Sequence, residues 1–150
     1  MPVQPASPSV QCNCLALRQA ARHVTQFYDQ ALAPCGLRTT QFSILAKLRW
    51  LGPMTINALA RELVMDRTTL GRTMLPLQRD GLIAVDTGTS DRRSKELHLT
   101  KAGADRLRAA AKHWSAAQGR FAETFGTERA SRLRDELRAV VAHEFAAVSS

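Results

Sequence analysis

Apolar positions recur along this chain at the spacing of amphipathic helices, with one interruption. Over about residues 12–32, Leu17, Ala20, Ala21, Val24, Phe27, Tyr28 and Ala31 repeat every three to four residues, and Pro34 with Gly36 closes the segment. A second helix is predicted from about Thr40 to Leu51, buried through Phe42, Leu45, Leu48 and Leu51 and stopped by Gly52-Pro53. A short third one, Ile56 to about Leu63, buries Ile56, Leu59, Ala60 and Leu63 behind a Thr55 cap. Val64-Met65 makes a tight turn, and Asp66 caps a fourth helix over 67–80 that ends at Gly81. The period then changes. Leu82-Ile83-Ala84-Val85 and the alternating Lys95-Glu96-Leu97-His98-Leu99 read as two strands of a hairpin, with a turn around Gly88. Thr100 caps a long helix over about 101–125, with Leu107, Ala110, Ala111, Trp114, Ala117, Phe121 and Phe125 along it. The last helix, about 128–148, carries Ala130, Leu133, Leu137, Val140, Val141, Phe145 and Val148.

A short helix, a tight turn, a second helix and then a hairpin is the order of a winged helix-turn-helix unit. The fold class expected is mainly α with a small β-hairpin wing. Residues 39–100 form the winged helix-turn-helix DNA-binding domain, 12–38 and 101–150 supply dimerisation helices, and 1–11, with Pro2, Pro5 and Pro8, form a flexible arm. The helix at 67–80 suits a major groove and presents Arg67, Thr68, Thr69, Arg72 and Thr73. Arginine binds a guanine edge bidentately, and threonine meets a base or a thymine methyl. Asp66 is placed to cap that helix and to orient an arginine. The hairpin turn presents Arg92 and Arg93, and a tip arginine fits a narrow minor groove.

Composition changes this picture little. The 150 residues carry 21 Lys and Arg against 13 Asp and Glu, a formal charge of +8, which favours polyanionic partners. That excess is not concentrated in the motif: the net charge is +4 over residues 1–54 and +2 over each of 55–101 and 102–150. Pattern, not charge, carries the reading. No apolar run is long enough for a membrane span. The start, Met1 to Gln11, lacks a basic region followed by an apolar one, so a cytoplasmic protein is expected.

Residues 55–103, TINALARELVMDRTTLGRTMLPLQRDGLIAVDTGTSDRRSKELHLTKAG, resemble the MarR family of winged helix-turn-helix regulators. The likeness rests on Leu59-Ala60, Leu63, Met65 to Thr69, Leu77, Asp80-Gly81-Leu82-Ile83, Asp91 with Arg93, Leu97, Leu99, Thr100 and Gly103. It implies a homodimer built by terminal helices, a recognition helix at 67–80 and a wing at 82–99. It further implies a repressor of pseudo-palindromic operators on double-stranded DNA, released by a small ligand or an oxidant. An effector pocket is implied among the first, second and fifth helices. The chain departs from the family where Val85 stands in place of a basic residue and where Pro76 enters the recognition helix, which is expected to bend or loosen it.

Cys12, Cys14 and Cys35 show no disulfide spacing. Cys14-Leu15-Ala16-Leu17 with the later Tyr28 is similar to the organic-peroxide-sensing branch of the family, which implies Cys14 and Tyr28 as redox-sensing residues. The chain has Arg18 and Thr39 where that branch carries further tyrosines. The plain alternative is a buried, inert Cys14 thiol. Cys12, Cys14 and His23 form a metal candidate only across a dimer; no metal or other cofactor is expected. Trp50, Trp114, Phe27 and Phe121 read as core. Each functional signal has a bland counterpart: arginines on a solvated helix face, an ordinary basic turn, terminal helices folded into an intrachain hairpin. No nucleophile has a placed base, and no phosphate loop or acid pair appears, so an enzyme is not expected. The remaining competitor is a helical protein-interaction module without a DNA-binding role.

Overall fold

Residues with extended backbone and a free acceptor start most of the helices. In the computed structural model, which describes residues 8–87 and 94–147, the Cys12 Sγ accepts from the Leu15 N–H at 3.4 Å and starts α1 (Asn13–Leu32). Thr55 accepts from Ala58 N–H at 3.2 Å ahead of α3 (Ile56–Leu63), and Asp66 accepts from Thr69 N–H at 2.8 Å ahead of α4 (Arg67–Arg79). Thr100 does the same for α5 (Lys101–Phe125), accepting from Gly103 N–H at 3.0 Å. These side chains satisfy amide donors that have no partner within the helix. The start of α2 (Thr39–Leu51) is held from outside: Asp29 on α1 accepts from both the Thr39 N–H and its hydroxyl at 2.7 Å.

The chain divides into two compact units, residues 1–114 and 115–150. The first holds the core. Leu32, Ile44, Leu45, Leu59, Leu70 and Leu77 are fully buried there, with Leu37, Leu48, Met74, Leu82, Ile83 and Leu97 around them. Burying each such leucine contributes on the order of 1.5–3 kcal/mol. The sheet has three strands in the order β1-β3-β2: β1 (Met54–Thr55), β2 (Ile83–Thr87) and β3 (Lys95–Leu99), all antiparallel. Met54 faces Leu97, and Val85 also faces Leu97 on the other side. Strand β1 was not expected from the sequence, and β2 is shifted from 82–85 to 83–87.

The wing is tied to α5 by a close approach. The Thr100 hydroxyl contacts the Gly81 and Leu82 carbonyls at 2.6 and 3.1 Å, and a Cβ on Gly103 would lie 2.0 Å from the Leu82 oxygen. Only glycine permits that packing. The second unit contains the end of α5 and α6 (Thr127–Ala142), where Arg129 covers the Phe125 ring at 4.2 Å. Helix α6 is shorter than the expected 128–148: His143 is extended, at φ −83° and ψ 130°, and residues 143–147 are not helical. Apart from Ala130, its side chains are exposed.

The expected arm at 1–11 lies outside the described residues up to residue 7; residues 8–11 are turns. The wing tip with Arg92 and Arg93 lies wholly outside them, as does Val148.

Candidate nucleic-acid interface

Helix α4 has two faces with different chemistry. Leu70, Met74 and Leu77 point into the core, which fixes the helix by one side. On the other side Arg67, Thr68, Thr69 and Arg72 are exposed, and Thr73 is half-buried at the flank. The turn before it, Val64-Met65, takes a left-handed residue at Val64, φ 52° and ψ 48°, whose N–H returns to the Arg61 carbonyl at 3.2 Å. A non-glycine residue in that region stores strain, which the packing of α3 against α4 holds in place.

Hydrogen bonding divides the five sequence-identified side chains of α4 into two groups. The Thr69 hydroxyl donates to the second Asp66 carboxylate oxygen at 2.5 Å, and the Thr73 hydroxyl donates to the Thr69 carbonyl at 2.9 Å. Both threonines therefore spend their hydroxyl hydrogens on the helix itself. Asp66 was expected also to orient an arginine; it holds Thr69 instead, by side chain and backbone. Those bonds, the Thr69 hydroxyl first, keep its carboxyl below the usual carboxylate range. Arg67, Thr68 and Arg72 enter no side-chain hydrogen bond or ion pair among the described residues, and two free guanidiniums remain on an exposed helix face.

Pro76 leaves α4 continuous to Arg79. It deprives the Arg72 carbonyl of its helical donor. Leu75 was missed by the sequence reading. It lies on the outward line with Thr68 and Arg72 and is 61% exposed. Its phase, out of step with Leu70, Met74 and Leu77, was visible in the sequence.

A MarR family model matches residues 37–95, the stretch from just before α2 to the first residue of β3. The Mycobacterium tuberculosis transcriptional regulator MosR, solved in complex with DNA, is 36% identical over 87% of this chain and 94% of its own, with a TM-score of 0.78. The chain belongs to the MarR family. Among other relatives, the repressor CouR of Rhodococcus jostii RHA1, solved on a 23-mer DNA duplex, is 26% identical with a TM-score of 0.80, covering 94% of this chain and all of its own. The HTH-type transcriptional regulator YwoH of Bacillus subtilis is 34% identical over 85 residues; the match spans 57% of this MarR-family chain and 61% of YwoH. The relatives are transcriptional regulators, and their winged helix fold is the one described above.

The remaining candidates are spread out. Cys14 is exposed, not buried as the plain alternative had it, on first turns of α1 where only Leu15 is half-buried; Cys12 is exposed and Cys35 half-buried, and all three are free thiols. Cys14 and Tyr28 are not brought together: both lie on α1, 14 residues apart, which is ~21 Å at ~1.5 Å per residue. Tyr28 instead meets the Phe27 ring edge-on at 5.3 Å. Trp50 corrects the core assignment, being 84% exposed at the end of α2. It borders a cleft of about 420 Å³ with Phe42, Ala46, Lys47 and Trp114, where the Phe42 and Trp114 rings stack at 5.9 Å. Among the described residues no group of three His, Cys, Asp or Glu side chains could hold a metal, and no helix is long and apolar enough to cross a membrane.

Proposed function

We propose that this protein is a sequence-specific double-stranded DNA-binding transcriptional regulator that acts in the cytoplasm as a homodimeric repressor and has no catalytic role. One observation carries the reading: a capped helix, anchored by its inner face, offers unpaired Arg67 and Arg72 on its outer face. Such a helix enters a major groove with its first turns toward base edges. Arg67, Thr68 and Arg72 read those edges; Thr69 and Thr73 support them. Arg92 and Arg93 of the wing probe the minor groove. The relatives solved on DNA support this assignment.

Dimerisation is supported by the apolar side chains left exposed on the terminal helices, Leu17 on α1 and Leu133, Leu137, Val140 and Val141 on α6. A two-fold dimer places its reading helices on half-sites one duplex turn, ~34 Å, apart. Release follows from a small ligand or from thiol oxidation. The α2 cleft beside Trp114 is the candidate ligand site; relatives have been solved with p-coumaroyl-CoA or studied with 6-hydroxynicotinic acid. Cys14 is the candidate thiol: a hydroperoxide transfers one oxygen to it, leaving a sulfenic acid and the alcohol. Operator affinity unchanged in fully oxidised protein would end the oxidative branch.

Selection of bound duplexes from a random pool tests the function. The expected result is a motif of two inverted half-sites, with affinity falling steeply as salt rises because phosphate contacts release counterions. Recovery of no enriched sequence would contradict it.

A further inference from the structure

The outward line of α4 contains one side chain that neither the cap nor the arginines explain. Leu75 is 61% exposed on a helix that otherwise buries its large apolar residues: Leu70 is 0%, Met74 3% and Leu77 1% exposed. Seven residues bring a helix round to within about 20° of the same direction, so Leu75 continues the line of Thr68, with Arg72 between them. From Thr68 to Leu75 the rise is about 10 Å, less than the ~12 Å width of a major groove. A lone surface leucine is ordinary. This one follows the unpaired Arg72 by three residues, about one turn, on the face assigned to DNA, where any partner is a polyanion.

We propose that Leu75 reads the 5-methyl group of a thymine in each operator half-site. The inference rests on the assignment of α4 as the groove-entering helix and adds a base preference to it. Two observations carry it. The hydroxyl hydrogens of Thr69 and Thr73 are committed to Asp66 and to the Thr69 carbonyl, so polar reading on this helix passes to Arg67, Thr68 and Arg72. Leu75 has no hydrogen-bonding capacity and discriminates by shape and apolarity alone. Among the base edges of the major groove, thymine alone presents a methyl group; cytosine presents an amino donor in the neighbouring position, which a leucine leaves unsatisfied.

The test uses the full chain and the duplex recovered by selection. Each thymine of one half-site is replaced in turn by deoxyuridine, which removes only the methyl group, and affinities are measured for the wild type, Leu75→Ala and Leu75→Met. The wild type is expected to lose about fourfold at one position, the equivalent of one methyl-sized group, ~0.8 kcal/mol, left unburied. Leu75→Met keeps that sensitivity and Leu75→Ala loses it, while both bind the deoxyuridine duplex alike. Circular dichroism confirms that both variants are folded. A wild type indifferent to every thymine methyl, or a Leu75→Ala protein that still discriminates by fourfold, overturns the inference and leaves the DNA-binding reading standing. Failure to bind any duplex removes both.

Discussion

Leu70 and Leu137 are the same residue on two amphipathic helices, and they meet opposite surroundings. Leu70 of α4 is 0% exposed, inside the hydrophobic core; Leu137 of α6 is 38% exposed, in a row with Leu133, Val140 and Val141. The winged module closes its core within one chain, and α3, α4 and α5 are each capped by the residue that precedes them. Helix α6 has the periodicity of a packed helix without the packing. An apolar stripe left open at that length calls for a second surface, whereas the polar and cationic face of α4 does not. The contrast is the ground on which we propose a protein partner for α6 and nucleic acid for α4.

The largest test of that contrast is at its closed end. Leu70→Ala is expected to destabilise the module by about 3–4 kcal/mol, the cost of a buried cavity, measured by urea unfolding. A loss below about 1 kcal/mol would mean that α4 is not anchored as described. At the open end, Leu137→Glu is expected to leave the folded module intact and to weaken self-association by about 100-fold, near ~3 kcal/mol. Sedimentation across a concentration series reads this directly. Unchanged association would remove α6 from the dimer interface.

Smaller effects sharpen the account of the module itself. Val64→Gly relieves the left-handed turn at φ 52° and is expected to raise stability by roughly 0.5 kcal/mol, the relief of strain exceeding the flexibility gained by the unfolded chain. A lowered melting temperature would show that the turn carries no strain. Asp66 gives the smallest signal. Its carboxyl titrates lower in the folded chain than in the unfolded one, so its cap stabilises fully above the ordinary carboxylate range, and that contribution is lost as pH falls below about 4 toward the lowered value. Asp66→Ala is expected to flatten the acid limb of a melting-temperature profile; an identical limb contradicts the cap.

The parts of this structure legible in the sequence are those set by local signals. Apolar phase located the six α-helices of the described residues, and Thr55, Asp66 and Thr100 marked three starts. The rest depended on tertiary partners. Strand β1 has two residues, too few to alternate, and exists because Met54 and Thr55 meet Leu97 and Glu96. Helix α6 stops at Ala142 although Phe145 and Val148 extend its pattern; apolar spacing reports a face, not where the backbone stops. Trp50 was assigned to the core on residue type, yet it stands two residues beyond the last buried residue of α2, Leu48, which turns it about 200° away from the buried face. In the site, the arginines and Thr68 were legible as an outward face. The commitment of the Thr69 and Thr73 hydroxyls was not, because it turns on side-chain direction, and Leu75 was passed over as one more apolar residue.

The central claim is that α4 reads base edges through side chains left free on its outer face. It is tested most directly by titrating the selected operator with wild-type protein and with Arg72→Ala at fixed salt. The account predicts a loss of about 1–3 kcal/mol in affinity, confined to duplexes that keep one particular guanine. Equal affinity of the two proteins for that duplex would contradict it.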